Sequence, residues 1–65
     1  MEQVVLSLPE DVLLTLKVPR EELGATLRMA AAVKLYEMGR ISSGAAAKLA
    51  GIPRPLFLSL SLIHI

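Results

Sequence analysis

Apolar residues change their spacing several times along this chain, and each change marks an element. Gln3-Val4-Val5-Leu6-Ser7-Leu8 is a short β-branched and aliphatic run stopped by Pro9. In an extended segment, Val4, Leu6 and Leu8 point one way and Gln3, Val5 and Ser7 the other. The run predicts a short strand, and the rest of the chain offers no second one. One strand is not stable alone, so its backbone groups would pair with a second copy of the chain. Two helix starts follow with the same grammar. Pro9-Glu10-Asp11 and Pro19-Arg20-Glu21-Glu22 each put proline at the first helical position and acids in the first turn, where the helix dipole favours them. The first helix is expected over about Pro9 to Leu16, the second over about Arg20 to Met38 with closure at Gly39. In the second helix, Leu23, Leu27, Ala31, Leu35 and Met38 form one apolar stripe and Met29, Val33 and Tyr36 another. A helix that is apolar on two sides is normally covered on two sides, and in so short a chain the second cover would be another subunit.

The segment from Arg40 to Phe57 is the richest in pattern. Ser42 or Ser43 is placed to cap a short helix, and Gly44 in its first turn suggests a close backbone contact. Gly51 ends that helix, and a further helix follows after Ile52 and Pro53. This is the outline of a helix-turn-helix, which lays its second helix in the major groove of DNA. Ala47 and Gly51 supply the small residue and the turn residue such a crossing needs. Ala46, Ala50, Ile52, Phe57 and Leu60 fall where the apolar contacts between its helices belong. Pro55 disfavours helical geometry at the residue before it. The last helix is therefore expected to begin at Pro55, with Arg54 just ahead of it, aimed at a phosphate or a guanine edge. An ordinary helical hairpin with no role in nucleic-acid binding produces the same spacing.

Composition narrows the picture. A chain of 65 residues buries only about 60% of its unfolded surface. It has no cysteine to staple it and a single histidine, too few for a metal site. Its residues are 54% hydrophobic, yet it has one Tyr, one Phe and no Trp, so the apolar surplus is aliphatic. We therefore expect an obligate oligomer, a homodimer above all, with Val4, Leu6, Leu8, Leu27, Met29, Val33 and Tyr36 at the dimer or partner interface. The net charge of +1 hides a division. Residues 1–27 set Glu2, Glu10, Asp11, Glu21 and Glu22 against Lys17 and Arg20, a balance of −3. Residues 28–65 set Arg28, Lys34, Arg40, Lys48 and Arg54 against Glu37, a balance of +4. Phosphate binding follows local positive potential, so the basic half favours nucleic acid. Arg40, Ser43, Lys48 and Arg54 are the candidate DNA-binding residues, with Arg40 and Lys48 suited to phosphates.

Nothing in the chain suggests an enzyme. There is no nucleophile beside a base, no phosphate loop with its lysine and no metal-ligand spacing, so no catalytic residue, metal or other cofactor and no small-molecule substrate is assigned. The acid pairs Glu10/Asp11 and Glu21/Glu22 belong to first helical turns. No apolar run reaches the roughly 20 residues that a membrane span needs.

The blocks Val4-Val5-Leu6-Ser7-Leu8-Pro9-Glu10-Asp11-Val12, Leu35-Tyr36-Glu37-Met38-Gly39-Arg40-Ile41-Ser42 and Ala45-Ala46-Ala47-Lys48-Leu49-Ala50-Gly51-Ile52 resemble the short prokaryotic proteins grouped as uncharacterised protein family 0175. The resemblance covers about residues 3–58. Members are regarded as antitoxin-like and are often encoded beside a PIN-domain ribonuclease toxin. The resemblance implies a cytoplasmic protein that neutralises such a toxin and regulates its own operon by binding operator DNA. A purely protein-binding subunit or toxin inhibitor is the other reading. Two features depart from the family pattern: Pro53, where a capping Ser or Thr is usual, and the end of the chain. Leu60-Ser61-Leu62-Ile63-His64-Ile65 matches the translation of a transposon-end sequencing adapter. We therefore expect one domain over 1–59 and a non-native tail over 60–65. The expected fold is mainly α: a short N-terminal strand for intermolecular pairing, then three to four helices ending in a helix-turn-helix-like hairpin.

Overall fold

The computed structural model describes residues 2–63 and contains four helices. They are α1 (Glu10–Leu16), α2 (Arg20–Glu37), α3 (Ser43–Ala50) and α4 (Arg54–Ile63). The fold is mainly helical, and there is no strand among the described residues. Residues 2–9 carry no regular secondary structure, and among the described residues no backbone–backbone hydrogen bond involves residues 2–8. The expected strand is thus not formed within the single chain. Its physical reason is the one given by the sequence: a strand needs a neighbour, and this chain supplies none.

Proline and glycine punctuate the helices, with small shifts from expectation. Pro9 and Pro19 stand one residue before their helices, at the cap, with φ near −60° and extended ψ. Their carbonyls accept the first helical hydrogen bonds, from Val12 and Leu13 and from Glu22. Lys17 closes α1 in the left-handed conformation at φ 55°. Two glycines close α2 and α3 in the same region, Gly39 at φ 73° and Gly51 at φ 76°. After α2, the Arg40 N–H donates to the Leu35 carbonyl and the Gly39 N–H to that of Tyr36. After α3, the Ile52 N–H donates to the Ala47 carbonyl and the Gly51 N–H to that of Lys48. Both are Schellman closures, which satisfy carbonyls that a helix end would otherwise leave open. Ser42 is the cap of α3, its Oγ accepting the Ala45 N–H at 3.1 Å. Gly44 makes no close approach: an added Cβ would meet only Ser42 Oγ, at 3.9 Å. The last helix begins at Arg54, one residue earlier than expected. Proline at the second helical position gives up only an N–H that has no acceptor inside the helix, so the constraint on Arg54 is met without ending the helix.

The core lies where α2 packs on α3 and α3 on α4. Its buried members are Ala32, Val33, Ala46, Ala47 and Phe57, and Ser61 is buried beside them with its hydroxyl donating to the Leu58 carbonyl. Phe57 is the one large side chain among these that is wholly removed from water. Tyr36 meets it edge-on, with ring centroids 5.6 Å apart, an arrangement favoured by the ring quadrupoles. Met29, Ile41, Leu49, Ala50 and Ile52 pack partly buried around this centre. Ala46 and Phe57 are thus where the sequence put them, while Ala50, Ile52 and Leu60 are half-buried. Residues 60–63, read from sequence as a tail, continue α4. His64 and Ile65 lie outside the described residues.

The N-terminal third shares little of this core. No residue of α1 is buried. Val4, Val5, Leu6 and Leu14 are 83, 89, 66 and 74% exposed. Total accessible surface is 5385 Å², against the roughly 4,000 Å² expected of a folded monomer of 7.0 kDa. The radius of gyration, 12.6 Å, likewise exceeds the roughly 11 Å of a compact domain of this length. No described helix is long and apolar enough to cross a membrane.

This distribution makes Phe57 the residue on which stability should turn. Phe57→Ala is expected to cost about 3–5 kcal/mol and to abolish cooperative unfolding in a chain this small. Leu14→Ala, at an exposed site, should stay within about 0.5 kcal/mol of the parent. Urea titration followed by far-ultraviolet circular dichroism checks both; a cooperative Phe57→Ala transition at the parent midpoint would refute the assignment of the core.

Candidate nucleic-acid and partner interface

Three residues, Gly51, Ile52 and Pro53, join α3 to α4. The left-handed Gly51 reverses the chain, and Ile52 folds back as a half-buried contact on the core. Pro53 offers the carbonyl that receives the Phe57 N–H at 3.0 Å, so the first turn of α4 is anchored at once. α2 backs the pair through Ala32, Val33 and Tyr36. The two short helices are therefore held by local hydrogen bonds at their junction and by one aromatic contact behind it.

This frame brings two of the four candidate DNA-binding residues together. Arg54, the first residue of α4, donates its Nε–H to the Ser43 hydroxyl at 2.7 Å. Ser43 is the first residue of α3, so the bond ties the beginnings of the two helices. Lys48 is exposed five residues along α3, about 140° around the helix from Ser43. Arg40 is exposed between α2 and α3, just after the Gly39 closure. Arg40 and Lys48 therefore do not join the Ser43–Arg54 pair through a shared helix face.

The outward side of α4 is spare in hydrogen-bonding groups. Between Arg54 and Leu60 its exposed residues after Arg54 are Pro55, Leu56 and Ser59. A helix reading base edges needs donors and acceptors in that position, commonly Arg, Asn or Gln. This one offers a single hydroxyl. Phosphate contact from Arg40, Lys48 and Arg54 is the interaction its chemistry can support.

The candidate interface residues divide. Val4 and Leu6 are exposed, Leu8 and Leu27 half-buried. Met29, Val33 and Tyr36 instead face the chain's own core, with Val33 only 8% exposed. The other stripe is only partly covered: Leu23, Leu27 and Leu35 are half-buried, and Ala31 and Met38 are exposed. Met29 and Val33 also border an open groove along α2 with Ala25, Thr26 and Ala30. Among the described residues no cluster of three or more His, Asp or Glu could hold a metal ion.

The family model described as Uncharacterised protein family (UPF0175) matches residues 1–60. The chain belongs to this family. No match was found among curated proteins or among solved structures. In this UPF0175 chain the matched segment contains the arm, all of α1, α2 and α3, and most of α4.

One positioning residue escaped the sequence reading. Arg28 donates its Nε–H to the Leu49 carbonyl at 2.8 Å, across from α2 to the end of α3. A cation beside those last carbonyls is favoured by the helix dipole as well as by the hydrogen bond. The spacing along α2 places Arg28 one turn before Ala32 on the same face, but its partner at the end of α3 is set by how the helices cross.

The two serines at the start of α3 should separate in unfolding experiments. Ser42→Ala removes the cap and should cost about 1 kcal/mol. Ser43→Ala removes an exposed side-chain pair and should cost about 0.5 kcal/mol or less, while freeing the Arg54 guanidinium. Thermal unfolding reads the first difference, and the Arg54 Nε–H resonance in a nitrogen-correlated NMR spectrum reads the second. Equal costs at both serines would be inconsistent with Ser42 as the cap.

Proposed function

We propose that this chain is an antitoxin-like regulator. It forms a homodimer through its N-terminal arm and α2, holds a PIN-domain toxin, and binds operator DNA of its own gene through α3 and α4. The observation that carries DNA binding is the pair of short helices joined by a three-residue turn, with Arg54 at the start of the second. Residues 38–63 contain Arg40, Lys48 and Arg54 and no acid, a local excess of positive charge that favours phosphate. In this reading α3–α4 is a helix-turn-helix with α2 as its supporting helix. The arm supplies the strand that was absent in the single chain: paired with its copy, residues 3–8 satisfy each other's backbone groups. Toxin neutralisation rests on the resemblance of the family to antitoxin-like proteins.

A second reading keeps the partner and drops the DNA. It is favoured by the aliphatic outer side of α4, which has little with which to read a base, and by the exposed arm.

Mobility shift on the upstream region of the gene separates the two. A dimer presenting three cations per chain covers up to about six phosphates, which predicts a slope of log K against log [salt] of roughly −5. Lys48→Ala and Arg54→Ala should each weaken binding and make that slope shallower by about 1 for every phosphate left without its cation. Absence of any shift, together with co-purification of a toxin encoded nearby, would replace the first reading by the second. Because the chain has no cysteine, single Cys variants at positions 3–7 report arm pairing cleanly. At least one should form an intermolecular disulfide under mild oxidation, which requires Cα atoms about 4.4–6.8 Å apart.

A further inference from the structure

Gly24 lies inside α2, where alanine would hold the helix better. A Cβ added there would meet no atom within 4 Å. No described residue outside its own helix uses the space this residue leaves open. Gly24 instead borders a groove of about 350 Å³ between the N-terminal arm and the first half of α2. Val4, Leu6 and Leu8 line its arm side, and Leu23 and Leu27 its helix side. The alternation is that of an extended segment turning every second side chain inward.

We propose that this groove seats the N-terminal arm of a second copy, whose backbone passes over Gly24. The inference rests on the homodimer reading given above and specifies where the copies meet. Charge supports the assignment. The groove is bordered by two cations, Arg20 and Arg28, and by no acid. The arm is a neutral apolar run, Gln3 to Pro9, with Glu2 before it and Glu10 and Asp11 after it. Arg28 commits its Nε–H to Leu49, and its guanidinium keeps four further N–H donors. Area supports it too. The accessible surface of 5385 Å² exceeds that of a typical folded monomer of this mass by more than about 1,000 Å². A standard interface removes about 800 Å² from each partner. The unpaired backbone of residues 2–8 gives the visiting arm an edge to bond. Under a two-fold axis each arm fills the other's groove, so the contact closes at two chains.

Gly24→Leu tests the seat without threatening the fold, since leucine is the better helix former and meets no neighbour. Sedimentation equilibrium of the full chain should show the parent as a dimer. Gly24→Leu should raise the dimer dissociation constant by about tenfold or more, the scale of overpacking a contact, with helical circular dichroism equal to the parent's or stronger. Arg20→Glu should also weaken the dimer, and high salt should weaken the parent. A Gly24→Leu dimer as tight as the parent's overturns the seat and leaves dimerisation standing. A parent that stays monomeric across the accessible concentrations overturns the seat and the homodimer reading together.

Discussion

Phe57 can leave water completely because the residues around it are small. Ala32 on α2 and Ala46 and Ala47 on α3 bring three helices close enough for one aromatic ring to fill the space between them. Tyr36 closes the contact edge-on. Large residues at those alanine positions would hold the helices apart and leave the ring half wet. The ring sits behind the turn at Gly51 and the start of α4, which local hydrogen bonds close, and holds the two short helices against α2. The rest of the chain has no comparable anchor. The aliphatic residues of the chain outnumber the places this small core offers, and many remain at the surface of the arm, α1 and the outer side of α4.

Much of this architecture was legible because its causes are local. Pro9, Pro19, Gly39, Ser42 and Gly51 act through the geometry of one or two neighbouring residues, so the helix limits could be read to within about one residue. Ala46 and Phe57 were legible as core from helical spacing. The two faces of α2 were not. Periodicity says that Met29-Val33-Tyr36 and Leu23-Leu27-Leu35 are both apolar, but only the crossing of α3 and α4 decides which is covered. Of the α2 residues assigned from sequence to a partner, Met29, Val33 and Tyr36 turned inward, while Leu27 lies half-buried on the other stripe. The bonds from Arg28 to Leu49 and from Arg54 to Ser43 join residues 21 and 11 apart in sequence. They depend on how the helices cross, which no spacing within a single helix encodes.

The two functional readings draw on different parts of the chain. The case for DNA rests on the junction of α3 and α4 and on the absence of acids after Glu37. The case for a protein partner rests on exposed aliphatic surface before residue 17 and on the groove between the arm and α2. The first surface is carried by α3 and α4, the second by the arm, α1 and α2. A single chain can therefore hold a partner chain and carry a positive surface at once, which is what a regulator of its own operon requires.

In the packed unit the most extensive contacts are between successive helices, α2 on α3 and α3 on α4, with Tyr36 of α2 also reaching Phe57 of α4. Contacts so close in sequence require little loop closure, and topologies of this kind assemble in microseconds to milliseconds. Two chains at cellular dilution meet far more slowly than that. The packed unit is complete before any partner arrives, and the arm is not. In the proposed homodimer, assembly would be the docking of a segment without regular secondary structure onto a finished platform, with the entropy of ordering charged to residues 2–9 and not to the whole molecule.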